Sequence, residues 1–218
     1  MIPKPEIAPL GDSALLVRLG DEINLTINRR VQGLASLIDA APLDGVIETV
    51  PTYTAVLIHY DPLRLSFARI QEWVRLKLEQ MQSAAGRVPR HIEVPVRYGG
   101  EYGVDLAFVA EYHQLRAEHV IEIHTAGTYT VYMMGFTPGF PYMGKLSDQI
   151  VTPRLGTPRT RVPAGTVAIA GSQTGIYPID SPGGWRLIGH TSLQLFNPEA
   201  EHPFLFLPGD EVRFTAEV

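Results

Sequence analysis

The sequence predicts an α+β protein of two domains, and two contrasting patterns carry this prediction. As far as about residue 86, strand-like runs alternate with segments whose apolar residues recur at helical spacing. Beyond residue 90, two short helices give way to many short β-runs bounded by Gly and Pro, which is typical of a β-barrel. A chain of 218 residues that is 45% hydrophobic is long enough for two small cores. We therefore predict an N-terminal domain at 1–86 and a barrel domain at 87–218.

The N-terminal segments follow the order β-α-β-β-α. Apolar side chains at steps of four, three and four predict the first helix from Ile27 to Ile38, and Ser66 is placed to cap the second. A strand-like run at 91–96 comes next, so the order of elements predicts a ferredoxin-like α/β unit. Residues 83–87 are predicted to be a linker. The predicted strands of this half are 14–19, 46–50 and 55–60.

The second half begins with two helices. Asp105 is expected to cap the first of them, and the second, at 117–124, carries His124 on its apolar side. Short strands are then predicted wherever a β-run lies between Gly and Pro turns. These predicted strands are 129–134, 166–170, 192–196, 204–207 and 211–214.

The segment 135–190 has an unusual composition. It holds ten Gly and seven Pro, and it also carries Phe140, Tyr142, Tyr177 and Trp185. Disordered Gly/Pro tracts lack such large apolar groups. Gly permits backbone shapes that other residues resist, and Pro restricts the chain before it folds. The segment therefore predicts rigid loops shaped around a binding site, with Phe140, Tyr142 and Trp185 as its apolar wall.

Charge is unevenly distributed along the chain. The net charge is −5, which argues against general nucleic-acid binding. Residues 145–190 nevertheless hold five Lys and Arg against two Asp, so their net charge is +3 and that of the remainder is −8. A basic patch on an acidic protein favours a small anion such as a carboxylate or phosphate. The alternative is that these arginines are scattered over the surface.

Three polar side chains near the glycine turns are candidates for chemistry. His190 follows a Gly-Gly-Trp-Arg run and can act as acid or base near neutral pH. Gln173 can hold an amide or a lactam through paired hydrogen bonds. His124, at a helix end, is also a candidate, although a lone His in such a place is commonly structural. The seven histidines lack the spacing of zinc motifs, so no metal is predicted.

Other functional classes are disfavoured. Residues 139–145 spell GxxxxGK, but Leu146 stands where a P-loop needs Ser or Thr, and Pro153 prevents a long helix from following. The chain has no Cys, no basic-then-apolar leader and no apolar run of the ~20 residues that a membrane helix needs. We expect a cytoplasmic protein without a membrane segment.

Three blocks in the second half resemble the allophanate hydrolase subunit 1 family. They read GFTPGFPYMG, VPAGTVAIAG followed by QTGIYP, and SPGGWRLIGHT, in that order along the chain. The resemblance extends over nearly the whole sequence and implies a cyclophilin-like β-barrel after the α/β domain. It also implies two partners, a paralogous C subunit and a third subunit. Together these proteins would form an ATP-dependent 5-oxoprolinase complex that opens 5-oxoproline to glutamate, with ATP bound by the assembled complex.

The resemblance and the charge pattern together imply roles for individual residues. The carboxylate of 5-oxoproline suits Arg159 or Arg154, and its lactam amide suits Gln173. His190 would give acid–base or oxyanion support. Two alternatives stay open: inhibition of a histidine kinase, which other members of the family imply, and prolyl isomerisation, which only the implied fold suggests. The remaining residues expected to contact substrate are Phe140, Tyr142, Tyr177, Trp185 and His124.

Overall fold

The structure is a computed structural model that describes residues 4–81 and 89–217. The chain divides into two compact units, Met1–Val88 and Pro89–Val218. The predicted linker at 83–87 lies outside the described residues. Within the described ranges, no helix combines the length and the apolar character needed to cross a membrane.

The first unit is an antiparallel sheet of four strands in the order β1-β2-β4-β3, together with two helices. The spacing of buried Val31, Leu34 and Ile38 explains the first helix, because these residues form one face that packs into the core of the sheet. Asn24 caps this helix by accepting a hydrogen bond from the Thr26 amide at 2.8 Å. The elements are β1 (Glu6–Pro9), β2 (Ala14–Arg18), α1 (Leu25–Ala40), β3 (Val46–Pro51), β4 (Ala55–Tyr60) and α2 (Phe67–Met81).

The strand after α2 does not join this sheet, contrary to the predicted order of elements. That strand, β5 (His91–Tyr98), belongs to the second unit, and the edge next to β2 is occupied by β1 instead. The sequence prediction missed β1 because its four residues show no clear alternation of apolar and polar side chains.

The second unit contains a closed barrel of seven strands in the order β10-β7-β6-β13-β5-β12-β9, with a separate pair β11-β8. The α+β class and the barrel are thus confirmed. Helices α3 (Leu106–Tyr112) and α4 (Ala117–Ala126) follow β5. The remaining strands are β6 (Thr128–Met134), β7 (Pro141–Gly144), β8 (Arg159–Val162), β9 (Thr166–Ala170), β10 (Gln173–Ile176), β11 (Ser181–Gly183), β12 (Arg186–His190) and β13 (Glu211–Ala216).

Two predicted strands are wrong. The runs at 192–196 and 204–207 contain only an isolated bridge between Phe196 and Phe204. Leu195 and Phe206 are nevertheless buried in the barrel core. These runs are apolar because they pack against the barrel. Their apolar sequence therefore resembled that of a strand although they form no regular sheet.

Candidate functional site

Four aromatic side chains form a cluster on the face of the barrel sheet opposite the barrel core, where Phe140, Tyr177 and Trp185 are buried and Tyr142 is half-buried. Phe140 lies 5.2 Å from the ring of Tyr177 and 5.4 Å from that of Trp185, and both contacts are edge to face. Tyr142 is 4.9 Å from Phe140 and 5.9 Å from Trp185. We call Phe140, Tyr142, Tyr177 and Trp185 the aromatic cluster. The structure therefore brings together Phe140, Tyr142 and Trp185, the predicted apolar wall, with Tyr177 beside them.

Small residues on the sheet make room for this cluster. Val167 and Ile169 belong to the barrel core, whereas Ala168 and Ala170 face the opposite side and pack in the aromatic cluster. Gly175 pairs with Ala168 across the sheet, and a Cβ there would come within 3.0 Å of the Phe140 ring. The Gly-rich composition of this segment thus allows aromatic rings to lie directly on the backbone.

Arg154 is the cation that adjoins the aromatic cluster. It is exposed, and its guanidinium lies 5.8 Å from the Trp185 ring. Burial raises the pKa of the Tyr142 and Tyr177 hydroxyls, and the charge of Arg154 opposes both increases, so this charge is close to both phenols. Among the described residues, no carboxylate lies within ion-pair distance of Arg154. Its charge is therefore available to an anion.

The other cations of the basic segment are engaged. Lys145 pairs with Asp148 at 3.2 Å, and Arg161 pairs with Asp180 at 2.6 Å. Arg186 stacks on the Phe108 ring at 3.7 Å and donates a hydrogen bond to the Pro153 carbonyl. The composition of the segment alone could not separate these cations from Arg154.

Arg159 forms a largely buried ion pair. Its Nη2 donates to Asp105 Oδ1 at 2.8 Å, while Asp105 Oδ2 accepts the Leu187 amide hydrogen at 2.7 Å. Asp105 was expected to cap a helix, but its side chain forms no capping hydrogen bond. A buried carboxylate requires a cation and further donors, and Arg159 supplies the cation. Arg159 Nη1 also donates to the Trp185 carbonyl at 3.4 Å. The Arg159–Asp105 ion pair is therefore linked to the backbone of the aromatic cluster.

Gln173 lies at the start of β10, directly opposite Ala170. Alternation along β10 puts its side chain on the same face of the sheet as Gly175, which is the face of the aromatic cluster. The residue is half-buried. Gln173 therefore shares a surface with the predicted apolar wall.

His190 occupies a different position. It ends β12, and four residues of strand, about 13 Å, separate it from Arg186 at the end next to Trp185. His190 Nε2 donates to the Ala164 carbonyl at 2.9 Å, so in the neutral ring Nδ1 is the basic nitrogen. Its ring lies 5.9 Å from that of Tyr102. The structure thus places the predicted acid–base residue at the end of β12 away from Trp185.

His124 lies in the barrel core and has no exposed surface. The Tyr98 hydroxyl is 2.7 Å from Nδ1, and the Thr174 hydroxyl is 2.9 Å from Nε2. The Tyr129 hydroxyl donates to the His124 carbonyl. Burial lowers the pKa of His124 to about 3, so the ring is neutral at ordinary pH. Its contacts are those of a hydrogen-bonded core residue.

Acidification is expected to destabilise the barrel through His124. The folded pKa of about 3 lies below the unfolded value of 6.5. Between these two pH values, His124 is therefore protonated in the unfolded chain and neutral in the folded chain. Stability is therefore complete above pH 6.5 and declines as the pH falls toward 3. From pH 7 to pH 5 the loss is about 2 kcal/mol. Urea unfolding at the two pH values measures it.

The variants His124→Gln and His202→Gln isolate this contribution. His124→Gln is less stable at pH 7, but its loss of stability between pH 7 and pH 5 is smaller by about 2 kcal/mol. His202 is exposed, so its replacement keeps the full loss. An undiminished loss in His124→Gln would contradict the origin that we assign to it.

The GxxxxGK segment does not form a phosphate-binding loop. Its residues Pro141–Gly144 are strand β7, and only a three-residue 3-10 helix, Asp148–Ile150, follows. A P-loop binds phosphate with backbone amides at the start of a long helix, so this segment is not suited to bind a nucleoside triphosphate. In residues 4–81 and 89–217, no group of three or more His, Asp or Glu is arranged to hold a metal ion.

Comparison with known proteins gives consistent relatives. The family model described as "Carboxyltransferase domain, subdomain C and D" matches residues 5–206. The chain is 44% identical to the 5-oxoprolinase B subunit of Bacillus subtilis (strain 168), over 98% of this chain and 93% of the relative. It is 42% identical to the 5-oxoprolinase B subunit of Escherichia coli O157:H7, over 95% and 94%. The crystal structure of TTHA0988 is 40% identical with a TM-score of 0.84. It aligns with 94% of this chain, which spans only 40% of that longer one.

Proposed function

This chain belongs to the family of carboxyltransferase subdomains C and D, and from that premise we propose that it is the B subunit of a 5-oxoprolinase. Such a complex opens the lactam of 5-oxo-L-proline to give L-glutamate. The observation that carries the proposal is identity of 44% and 42% to two proteins of that name over nearly their full lengths. The charge of Arg154 beside the aromatic cluster suits the substrate's carboxylate.

Each part of 5-oxoproline matches a group on this surface. Its carboxylate pairs with Arg154, since a charge-assisted hydrogen bond is the strongest polar contact available to it. Its five-membered ring packs on the aromatic cluster, and Gln173 hydrogen-bonds the lactam amide. Arg159 acts indirectly, because its charge is held by Asp105 and its other nitrogen contacts the Trp185 carbonyl.

The two histidines have separate roles in this proposal. His190 transfers a proton through Nδ1, because Nε2–H is donated to Ala164. Its distance along β12 from Trp185 means that it acts on a part of the reactants away from the carboxylate. His124 supports the barrel wall beneath the substrate surface: its hydrogen bond to Thr174 holds β10, the strand that carries Gln173.

The reaction needs more than this chain supplies. Hydrolysis of an unactivated lactam is unfavourable, and ATP provides the activating phosphoryl group when the complex binds it. Because the relatives are named as B subunits, we propose that two further proteins, a paralogous C subunit and a third subunit, join this chain to form the enzyme in the cytoplasm. Within this chain, Arg154, Gln173 and the aromatic cluster bind and orient 5-oxoproline.

We also propose finer fold relationships for both units. The sheet order β1-β2-β4-β3 is that of a ferredoxin-like unit in which an N-terminal strand takes the outer position. The closed seven-strand barrel with two preceding helices is of the cyclophilin-like kind. Neither relationship determines the activity.

Reconstitution tests the proposed function. The purified chain alone is expected neither to open 5-oxoproline nor to hydrolyse ATP, because the residues proposed above bind 5-oxoproline and not ATP. Mixed with the other two proteins of a 5-oxoprolinase, it is expected to release glutamate and ADP in equal amounts, and omission of this chain should abolish both. Glutamate formation by the isolated chain, or a complete complex without turnover, would contradict the proposal.

A further inference from the structure

A buried hydroxyl next to the aromatic cluster lacks a partner among the described residues. In the part of the chain that the structure describes, Thr137 Oγ1 and Ser181 Oγ are the buried side-chain oxygens without a hydrogen bond. Ser181 is only 7% exposed. Buried polar groups are nearly always paired, so an orphan hydroxyl beside a candidate site requires an explanation.

Strand pairing directs Ser181 toward the aromatic cluster. It lies opposite Val162, and Val162 packs with Phe140, Tyr177 and Trp185. Residues directly opposite in an antiparallel pair place their Cβ atoms about 5 Å apart on the same face. Gly183, two residues along β11, also adjoins the cluster, since a Cβ there would meet the Tyr177 hydroxyl, although the pairing with β8 is irregular between Ser181 and Gly183. Pro182, between them, is exposed.

We propose that Ser181 is a further substrate-contacting residue, whose hydroxyl hydrogen-bonds the lactam amide of the bound acid. This inference rests on the proposed function. A hydroxyl both donates and accepts, and a lactam presents one N–H and one carbonyl, so the two groups are complementary. With the carboxylate on Arg154 and the ring on the aromatic cluster, Ser181 and Gln173 together recognise the amide.

Two ligands separate recognition of the amide from recognition of the acid. 5-Oxoproline and cyclopentanecarboxylate share a five-membered ring and a carboxylate, but only the first has the lactam. Calorimetry on the assembled complex without ATP should show that Ser181→Ala weakens 5-oxoproline binding about tenfold, as expected for one lost hydrogen bond. Binding of cyclopentanecarboxylate should change by less than about twofold, since that ligand has no amide to lose. Equal affinities of wild type and Ser181→Ala for 5-oxoproline would overturn the inference.

A stability measurement distinguishes this role from a structural one. Because Ser181 Oγ has no hydrogen-bond partner within the described ranges, Ser181→Ala should keep the thermal midpoint of the free chain within about one degree or raise it. A fall of several degrees would mean that the hydroxyl has a structural partner, and would overturn the inference. Ser192→Ala, at an exposed serine of the same unit, is the matched control and should change neither quantity. If the wild-type complex bound neither ligand, the proposed function would fail together with this inference; failure of the inference alone leaves wild-type binding intact.

Discussion

Arg154→Gln in the assembled complex is expected to raise the KM for 5-oxoproline about 50-fold, which corresponds to the loss of one charge-assisted hydrogen bond. The reason is that Arg154 is the exposed cation beside the aromatic cluster and has no carboxylate partner among the described residues. Its side chain is solvent-exposed, so the folded state should tolerate the change. Initial rates over a range of substrate concentrations, together with thermal unfolding of the free variant, measure both quantities.

Two further variants sharpen this test. Arg154→Lys keeps the charge but loses the paired geometry of the guanidinium, so its KM should lie between those of the wild type and Arg154→Gln. Arg213 is exposed on β13, and Arg213→Gln controls for the general loss of one positive charge. A KM for Arg154→Gln within twofold of wild type, or an equal increase in the KM of Arg213→Gln, would contradict the proposal that Arg154 binds the substrate's carboxylate.

Arg159→Leu is expected to lower the free energy of unfolding by about 2 kcal/mol. Removing one member of a buried ion pair leaves the other charge without compensation, which typically costs about 3–5 kcal/mol. We expect the lower figure because the Arg159 side chain is 29% exposed and water reaches part of the pair. Urea unfolding of the free chain at pH 7 measures the effect.

A double-mutant cycle tests whether this loss arises from Asp105. In Asp105→Asn/Arg159→Leu the stranded charge is gone, so the double variant should be more stable than the sum of the two single losses predicts. The Asn side-chain oxygen can still accept the Leu187 amide hydrogen that Asp105 Oδ2 accepts at 2.7 Å. Strictly additive losses would show that Arg159 and Asp105 do not stabilise each other.

Local patterns predicted much of the fold but little of the long-range pairing. The spacing of Val31, Leu34 and Ile38 predicted the first helix, because the apolar face of a helix is formed by residues three or four positions apart in the sequence. Asp105 looked like a helix cap for an equally local reason. Its actual partners, Arg159 and Leu187, are 54 and 82 residues away, and no spacing rule connects them.

The candidate site was predicted in part for the same reason. The density of Gly, Pro and aromatic residues indicated where the aromatic cluster lies, because close packing of rings on a sheet needs small residues at fixed positions. Charge counting could not tell Arg154 from Arg161, because their difference lies in whether an aspartate faces them. Ser181 was missed because an orphan hydroxyl has no signature in a sequence.

The barrel is closed by a parallel pair, β5 with β13, in which His91 lies opposite Glu211. These residues are 120 positions apart, so closing this contact costs more chain entropy than closing a hairpin does. In the first unit, β1 with β2 and β3 with β4 are neighbouring hairpins that form with little such loss. We therefore expect the sheet of the first unit to fold faster than the barrel that carries the aromatic cluster.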